Sequence, residues 1–361
     1  MSITSEVESN GPEGVPAEGH EPRRVKCVVW DLDDTLWDGT LAEGDDVRLR
    51  HDVVAIIQEL DRRGILHSVA SRNSAAQALG KLEAFGLRDY FLHPQIGWNA
   101  KSLSIATIAK ELNIGLDGVA FVDDQDFERA EVLHRCRQVL CLDPNDRHAF
   151  LDLPALMPRF ITDDSRRRRR MYMSDICRRE MEANYEGPAE DFLASLGMVF
   201  TIADAGADDL KRAEELTVRT HQLNTTGYTY AYEELDELRQ SSRHKLLVAE
   251  LEDRYGPYGK VGLALLETDE AVWTIKLLLM SCRVMGRGVG GLLVNHLRDE
   301  ARKARVRLRA EFKHTKVNRQ MYVTYRFAHF RELAKDGDLV LLENDLSQRQ
   351  AVPPFVTLVI K

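Results

Sequence analysis

From Val25 to about Pro144, short apolar runs alternate with stretches of helical periodicity. The runs are "VKCVVWDL", "ILHSVAS", "GVAFVDD" and "QVLCLD", and the pattern between them predicts helices from His51, from Asn73, over "LSIATIAKELNI" and from Phe127. Continuous apolar strands separated by amphipathic helices predict a parallel sheet covered on both faces by helices. Ligands of such sheets sit beyond the carboxyl ends of the strands. Three of the runs end there in polar clusters, "DLDDT", "SRN" and "DDQD".

Residues 146–195 carry helical spacing, many Arg and Met, and no strong strand signal, so they read as a helical connector. A second domain begins near Leu196 with a mixed order. It has a strand "MVFTIAD", helices over 207–218 and 231–240, and strands "HKLLVAELED", "GKVGLALLE" and "AVWTIKLLLMS". A helix from Gly288, a strand "VRLRAEF", a helix from Lys316 and a final strand "FVTLVIK" follow. The expected architecture is α/β throughout, with a tail over 1–24, a parallel-sheet domain over 25–145, the connector, and a mixed α/β domain over 196–361. Two domains suit a chain of 361 residues.

Composition refines this outline. The longest apolar run, "AVWTIKLLLMSC", is broken by Lys276, so no segment is long enough to span a bilayer. Residues 1–24 lack the apolar core of a signal peptide and are rich in Glu, Gly and Pro, which predicts a disordered tail. Cys27, Cys136, Cys141, Cys177 and Cys282 are scattered without a C-x-x-C spacing, which argues against a zinc site or a disulfide framework and for a reducing cytoplasm. A net charge of -9 disfavours nucleic acid as the main partner. The basic run "SRRRRR" at 165–170 is either a solvated helix face or a docking patch for an acidic partner.

Chemistry enters at the strand ends. Asp31, Asp33, Asp34 and Asp38 follow the first strand, and each extra carboxylate in a tight loop repels its neighbours unless a cation holds them together. Mg²⁺ is the natural choice. A carboxylate so placed can attack phosphorus when a cation neutralises the phosphate and a second acid protonates the leaving oxygen; Asp31 and Asp33 can supply both functions. Ser71, at the end of the second run, offers a hydroxyl and the following backbone N–H groups to phosphate oxygens. Lys101 offers a compact positive charge, and Asp123 with Asp124 completes the metal shell. Taken singly, a Ser before a helix is also an N-cap and a Lys is also solvent-facing.

In this order the clusters resemble the four motifs of the haloacid dehalogenase superfamily of phosphotransferases. The resemblance implies a Rossmann-like parallel sheet with Asp31 as the nucleophile that becomes an aspartyl-phosphate, and Asp33 as general acid and then base. It implies Ser71, Arg72, Asn73 and Lys101 around the phosphate, and Asp31, Asp33, Asp123 and Asp124 around Mg²⁺. Roughly forty residues separate Asp33 from Ser71 and roughly thirty separate Ser71 from Lys101, too few for a large inserted lid. A minimal cap and an open pocket, suited to a bulky or protein-carried substrate, are therefore expected.

A second cluster, "SCRVMGRGVGGLLVNHLRDEARK", leaves a strand at Ser281, passes through four glycines and enters a helix. Glycines let backbone N–H groups approach an anion closely, and the helix N-terminus adds a positive end. The spacing Arg283-x-x-Gly286-x-Gly288 resembles the acyl-coenzyme-A loop of the GNAT acyltransferase fold, with Arg283, Gly286, Arg287 and Gly288 as the pantetheine and phosphate loop. Cys282, beside Arg283 and near a helix start, is either a nucleophile or a buried strand-end cysteine. Asn, Thr and Arg residues in "RTHQLNTTGYTY", "LEDRYGPYGKVG" and "KHTKVNRQMYVTY" can line a polar acyl pocket or serve as caps and turns.

The two halves together, with "RTHQLNTTGY", "DRYGPYGKVG", "SCRVMGRGVG" and "AEFKHTKVN" in that order, resemble the FkbH-like family of polyketide biosynthesis, in its stand-alone glyceryltransferase/phosphatase form. The resemblance implies that 1,3-bisphosphoglycerate supplies a three-carbon unit that loses its phosphates. The unit ends as a glyceryl thioester on the phosphopantetheine arm of an acyl carrier protein. Because an acyl phosphate is activated toward sulfur, Cys282 can accept the acyl group and pass it to the pantetheine thiol. His221 stands where that family has Asn and His314 where it has Pro; each is read as a base or as a structural histidine. Two rival readings are a phosphatase fused to a coenzyme-A-dependent N-acyltransferase and a non-catalytic carrier-protein scaffold.

Overall fold

The computed structural model describes residues 24–44 and 46–361; the expected tail, apart from Arg24, lies outside the described residues. The chain divides into two compact units, one ending at Asn184 and the other running from Tyr185 to Lys361. No helix among the described residues is long and apolar enough to cross a membrane.

The first unit contains β1 (Cys27–Trp30), β2 (Trp37–Asp38), β3 (Arg48–Leu49), α1 (His51–Arg62), β4 (Leu66–Ser71), α2 (Ala75–Ala84) and β5 (Gln95–Ile96). It continues with α3 (Lys101–Glu111), β6 (Val119–Val122), α4 (Asp126–Arg135), β7 (Leu140–Leu142) and α5 (Asp163–Ala183). Strands β5-β4-β1-β6-β7 form one parallel sheet in that order. Successive β1 residues alternate between two cores. Val28 and Trp30 pack with Ile57 and Leu60 of α1 and Leu82 of α2, whereas Cys27 and Val29 pack with Ile105 and Ile108 of α3 and Val132 of α4. Burial on both faces is what makes such strands read as unbroken apolar runs.

Helix α5 starts at a capping box between Thr162 and Ser165 and packs on the first unit. Arg168 donates to the Gly64 carbonyl at 2.8 Å, and Arg169 pairs with Asp61 at 2.9 Å. The basic run is thus split by helical geometry: Arg168 is buried, Arg169 half-buried, and Arg166, Arg167 and Arg170 are exposed.

The second unit contains α6 (Ala189–Ser195), β8 (Met198–Asp204), α7 (Leu210–Arg219), α8 (Tyr232–Gln240), β9 (His244–Asp253), β10 (Gly256–Thr268) and β11 (Val272–Met280). Then come α9 (Leu292–Ala304), β12 (Arg307–Lys313), α10 (Arg319–Phe327), β13 (Phe330–Asp336), β14 (Leu339–Asn344) and β15 (Val356–Ile360). Its mixed sheet has the order β13-β14-β12-β11-β10-β9-β8-β15. β11 and β12 are parallel, as are β8 and β15; the other neighbours are antiparallel.

Two expectations change here. The helix expected from Gly288 begins at Leu292, because Gly286 and Gly288 adopt φ of 79° and 71°, outside helical space. The hairpin β13–β14, turning at Gly337, was not expected; every residue of β13 after Phe330 is exposed, so it lacks an apolar stripe.

The pairing of β11 with β12 covers only Val272–Ile275 and Arg307–Ala310. Beyond it the strands part, and the segment Leu223–Thr225 lies between them. The Thr225 N–H donates to the Leu278 carbonyl at 3.0 Å, and its own carbonyl accepts from the Lys313 N–H at 3.0 Å.

Candidate active site

Parallel register builds the first site. Trp30 pairs with Val122 across β1 and β6, so the next residues, Asp31 and Asp123, leave neighbouring strands side by side. The Asp31 N–H continues the ladder to the Val122 carbonyl at 2.9 Å. Carboxylate oxygens of Asp31, Asp123 and Asp124 lie within 4.8 Å of one another.

Lys101, the first residue of α3, is buried and donates to Asp31 Oδ1 at 2.5 Å, to Asp123 Oδ2 at 3.0 Å and to the Ala70 carbonyl at 2.8 Å. Its helix start is anchored from α4, where Glu131 accepts from the Ser102 N–H at 3.1 Å and from the Ser102 hydroxyl at 2.6 Å. Burial raises the Asp31 and Asp123 carboxyls above their ordinary range against the pull of Lys101, and burial together with the Asp31 charge raises Asp124. Burial opposes the Lys101 charge, but Asp31 and Asp123 outweigh it and hold its pKa up.

Three acids against one ammonium leave the pocket short of positive charge. Asp124 Oδ1 is moreover buried without a hydrogen-bond partner. Both observations fit a divalent cation, and an all-oxygen donor set is that of a hard ion such as Mg²⁺.

Asp33, expected among the metal ligands, does not join this group. Its Oδ1 accepts from the Trp37 indole at 2.7 Å and from the Leu41 N–H at 3.1 Å, and its Oδ2 accepts from Asn73 Nδ2 at 2.9 Å. Asp34 and Asp38 are also placed by the turn rather than by a metal. Asp34 adopts φ of 50° and accepts from the Gly39 N–H at 3.0 Å, while Asp38 pairs with Arg50 at 2.7 Å.

Ser71, Arg72 and Asn73 meet the site at the end of β4. Ser71 is buried and its Oγ accepts from Asn73 Nδ2 at 3.2 Å. Arg72 is 41% exposed and pairs at 3.1 Å with the buried Glu128 of α4, which holds its guanidinium at the rim. Sequence reasoning missed Thr35, whose buried Oγ1 has no partner, as well as Trp37, Glu128 and Glu131. Thr35 had a local signal, lying two residues beyond Asp33; the others act across loops and helices.

In the second unit, β11 ends at a short turn over Cys282–Val284, where the Ser281 hydroxyl accepts from the Arg283 N–H at 3.4 Å. Cys282 and Arg283 are half-buried, Gly286 and Gly288 are exposed, and Arg287 is buried. The turn, the two left-handed glycines and the start of α9 form the expected strand–loop–helix. Among the candidate pocket residues, Asn224, Thr225, Thr226 and Asn318 are fully or almost fully buried. They bond within the chain: Asn224 Oδ1 caps the Gly227 N–H at 2.8 Å, and Asn318 Nδ2 bonds the Asn224 carbonyl at 3.0 Å. His221 and His314 are exposed, the latter edge-on to Phe312 at 4.8 Å.

The chain has a curated relative, human magnesium-dependent phosphatase 1, at 30% identity over 28% of this chain and 69% of the relative. Through that stretch the chain belongs to the haloacid-dehalogenase-like magnesium-dependent phosphatase family. No family model matches. A solved structure of the N-terminal part of a Bacteroides fragilis protein, containing a phosphatase domain complexed with Mg, aligns at 27% identity and a TM-score of 0.35. It covers 38% of this chain, which spans 42% of that structure's length.

Solved neighbours also include the Escherichia coli ribosomal-protein-S18-alanine N-acetyltransferase, at 17% identity and a TM-score of 0.33 over 42% of this chain and 96% of that one. A Vibrio cholerae spermidine N-acetyltransferase chimera aligns at 16% identity and a TM-score of 0.31 over 41% and 96%.

Proposed function

We propose that the chain is a bifunctional glyceryltransferase/phosphatase. It takes 1,3-bisphosphoglycerate, removes phosphate, and loads a glyceryl unit as a thioester on the phosphopantetheine arm of an acyl carrier protein. The observation that carries the reading is the Asp31–Asp123–Asp124 group with Lys101, set at strand ends in a magnesium-dependent phosphatase family unit and joined in one chain to a strand–glycine-loop–helix unit.

In the first unit, Asp31, Asp123 and Asp124 hold the ion, which when bound neutralises phosphate charge. Lys101 and Ser71 bind phosphate oxygens, and Arg72 meets the ester at the rim. Asp31 attacks phosphorus to form an aspartyl-phosphate while Asp33 gives a proton to the departing oxygen. Asp33 then takes a proton from the water that releases phosphate.

In the second unit, an acyl phosphate is activated toward sulfur. The Cys282 thiolate attacks its carbonyl carbon and phosphate leaves; the pantetheine thiolate then attacks the thioester and Cys282 departs. Arg283, Gly286 and Gly288 hold the anionic arm, and the cytoplasm supplies both substrates.

The test is intact-protein mass spectrometry of a holo carrier protein incubated with the chain, Mg²⁺ and 1,3-bisphosphoglycerate. A glyceryl increment on the carrier supports the reading, and an unmodified carrier refutes it. A Cys282→Ala chain that loads the carrier at the full rate removes the relay step alone.

A further inference from the structure

Asn73 entered as a phosphate ligand, but its contacts give it another task. Its Nδ2 donates to Asp33 Oδ2 at 2.9 Å and to Ser71 Oγ at 3.2 Å, so one amide ties the proposed acid to the proposed phosphate-holding hydroxyl. The nitrogen faces Asp33, whose Oδ2 keeps an acceptor lone pair whether or not it carries a proton. Asn73 is 2% exposed and its Oδ1 is buried with no partner. An oxygen acceptor offers nothing to a phosphate, whose oxygens are themselves acceptors.

The two oxygens of Asp33 are not equivalent. Oδ1 takes two donors, Trp37 Nε1 and the Leu41 N–H, and is saturated within its loop. Oδ2 takes only the Asn73 amide and keeps a lone pair free. Asn73 stands on the segment after β4, whereas Trp37 and Leu41 belong to the loop that carries Asp33. Asn73 is therefore the contact that fixes the acid relative to Ser71.

We propose that Asn73 is a positioning residue: it selects Oδ2 of Asp33 as the proton-transferring oxygen and sets it relative to the phosphate bound at Ser71. The inference rests on the phosphatase reading of this site. In the step it serves, the ester P–O bond breaks as the Asp31 Oδ–P bond forms, and the proton on Asp33 Oδ2 passes to the departing oxygen. The products are an alcohol, the aspartyl-phosphate and the Asp33 carboxylate.

General acid assistance matters most when the leaving group is poor, and such assistance is typically worth 10²–10⁴-fold. The test uses the full chain with Mg²⁺ and compares glycerol phosphate, an alkyl ester, with p-nitrophenyl phosphate, whose leaving group needs little protonation. In Asn73→Ala, kcat/KM for the alkyl ester is expected to fall on the order of 100-fold and for the aryl ester less than about 5-fold. Inhibition by inorganic phosphate is expected to hold within about twofold, since no phosphate contact is lost. Asn73→Ser, which keeps a small donor, should recover part of the alkyl activity and guards against misfolding of the alanine variant.

Equal losses on both esters, or phosphate inhibition weakened about tenfold, overturn the assignment and leave the phosphatase reading standing. A wild-type chain that hydrolyses neither ester overturns both.

Discussion

The ammonium of Lys101 lies 2.5 Å from Asp31 Oδ1, and both groups are almost wholly buried. Removing one partner of a buried pair leaves an uncompensated charge, which costs several kcal/mol. Lys101→Met should therefore lose on the order of 3 kcal/mol in urea unfolding with EDTA present. Saturating Mg²⁺ should restore a large part of that loss. A variant as stable as wild type in EDTA would show that Lys101 does not balance the acids.

The cation itself should raise stability by mass action, by about 2.7 kcal/mol at a concentration 100 times its dissociation constant. Thermal unfolding with and without Mg²⁺ measures this. Asp124→Asn removes the carboxylate whose Oδ1 is buried without a partner. The variant should keep its Tm in EDTA and lose most of the Mg²⁺-dependent rise.

His67 predicts the acid limb of stability. It is fully buried, its Nδ1 accepts from the Trp30 indole at 3.0 Å, and burial lowers its pKa from 6.5 to about 3. Between those values the unfolded chain binds a proton that the folded chain refuses, so stability rises with pH across that window. As pH falls from 6.5 toward 3 the first unit should lose up to about 4 kcal/mol through this group, with no contribution above about pH 7.5. His67→Gln, which keeps an acceptor for Trp30, should flatten the limb in denaturant titrations at several pH values.

Gly288 tests the glycine loop. It has φ of 71°, and a Cβ there would meet the Phe355 ring at 2.8 Å. Gly288→Ala should cost about 1–3 kcal/mol in unfolding of the second unit. Gly290→Ala, where nothing lies within 4 Å and φ is ordinary, should stay within about 0.5 kcal/mol of wild type.

The parts legible in the sequence were those with local causes. Doubly buried strands such as β1 and β6 write themselves as apolar runs, and their carboxyl ends mark where Asp31, Ser71 and Asp123 emerge. The density of acids after β1 was harder to apportion. Four carboxylates suggested one metal shell, yet only Asp31 faces Asp123 and Asp124, because Asp33, Asp34 and Asp38 are turned by Trp37, Gly39 and Arg50.

Those partners become visible only once the loop folds back: Arg50 reaches Asp38 across 12 residues. The same holds for the bond of Glu128 to Arg72, 56 residues apart, and for Glu131 on Ser102, 29 residues apart. Strand β13 escaped because an exposed edge strand has no face to pattern, although Asp336-Gly337 before β14 was a usable turn signal.

The central claim is that Asp31 accepts a phosphoryl group. Acid-quenched single-turnover mixtures of the chain with Mg²⁺ and 1,3-bisphosphoglycerate, digested and read by mass spectrometry, test it directly. A phosphoryl mass is expected on the peptide containing Asp31, absent with EDTA and absent in Asp31→Asn, which should release only the acyl phosphate that Cys282 displaces and not the ester phosphate. Release of the ester phosphate by Asp31→Asn at the wild-type rate, with no phosphoryl mass on that peptide in the wild type, would contradict it.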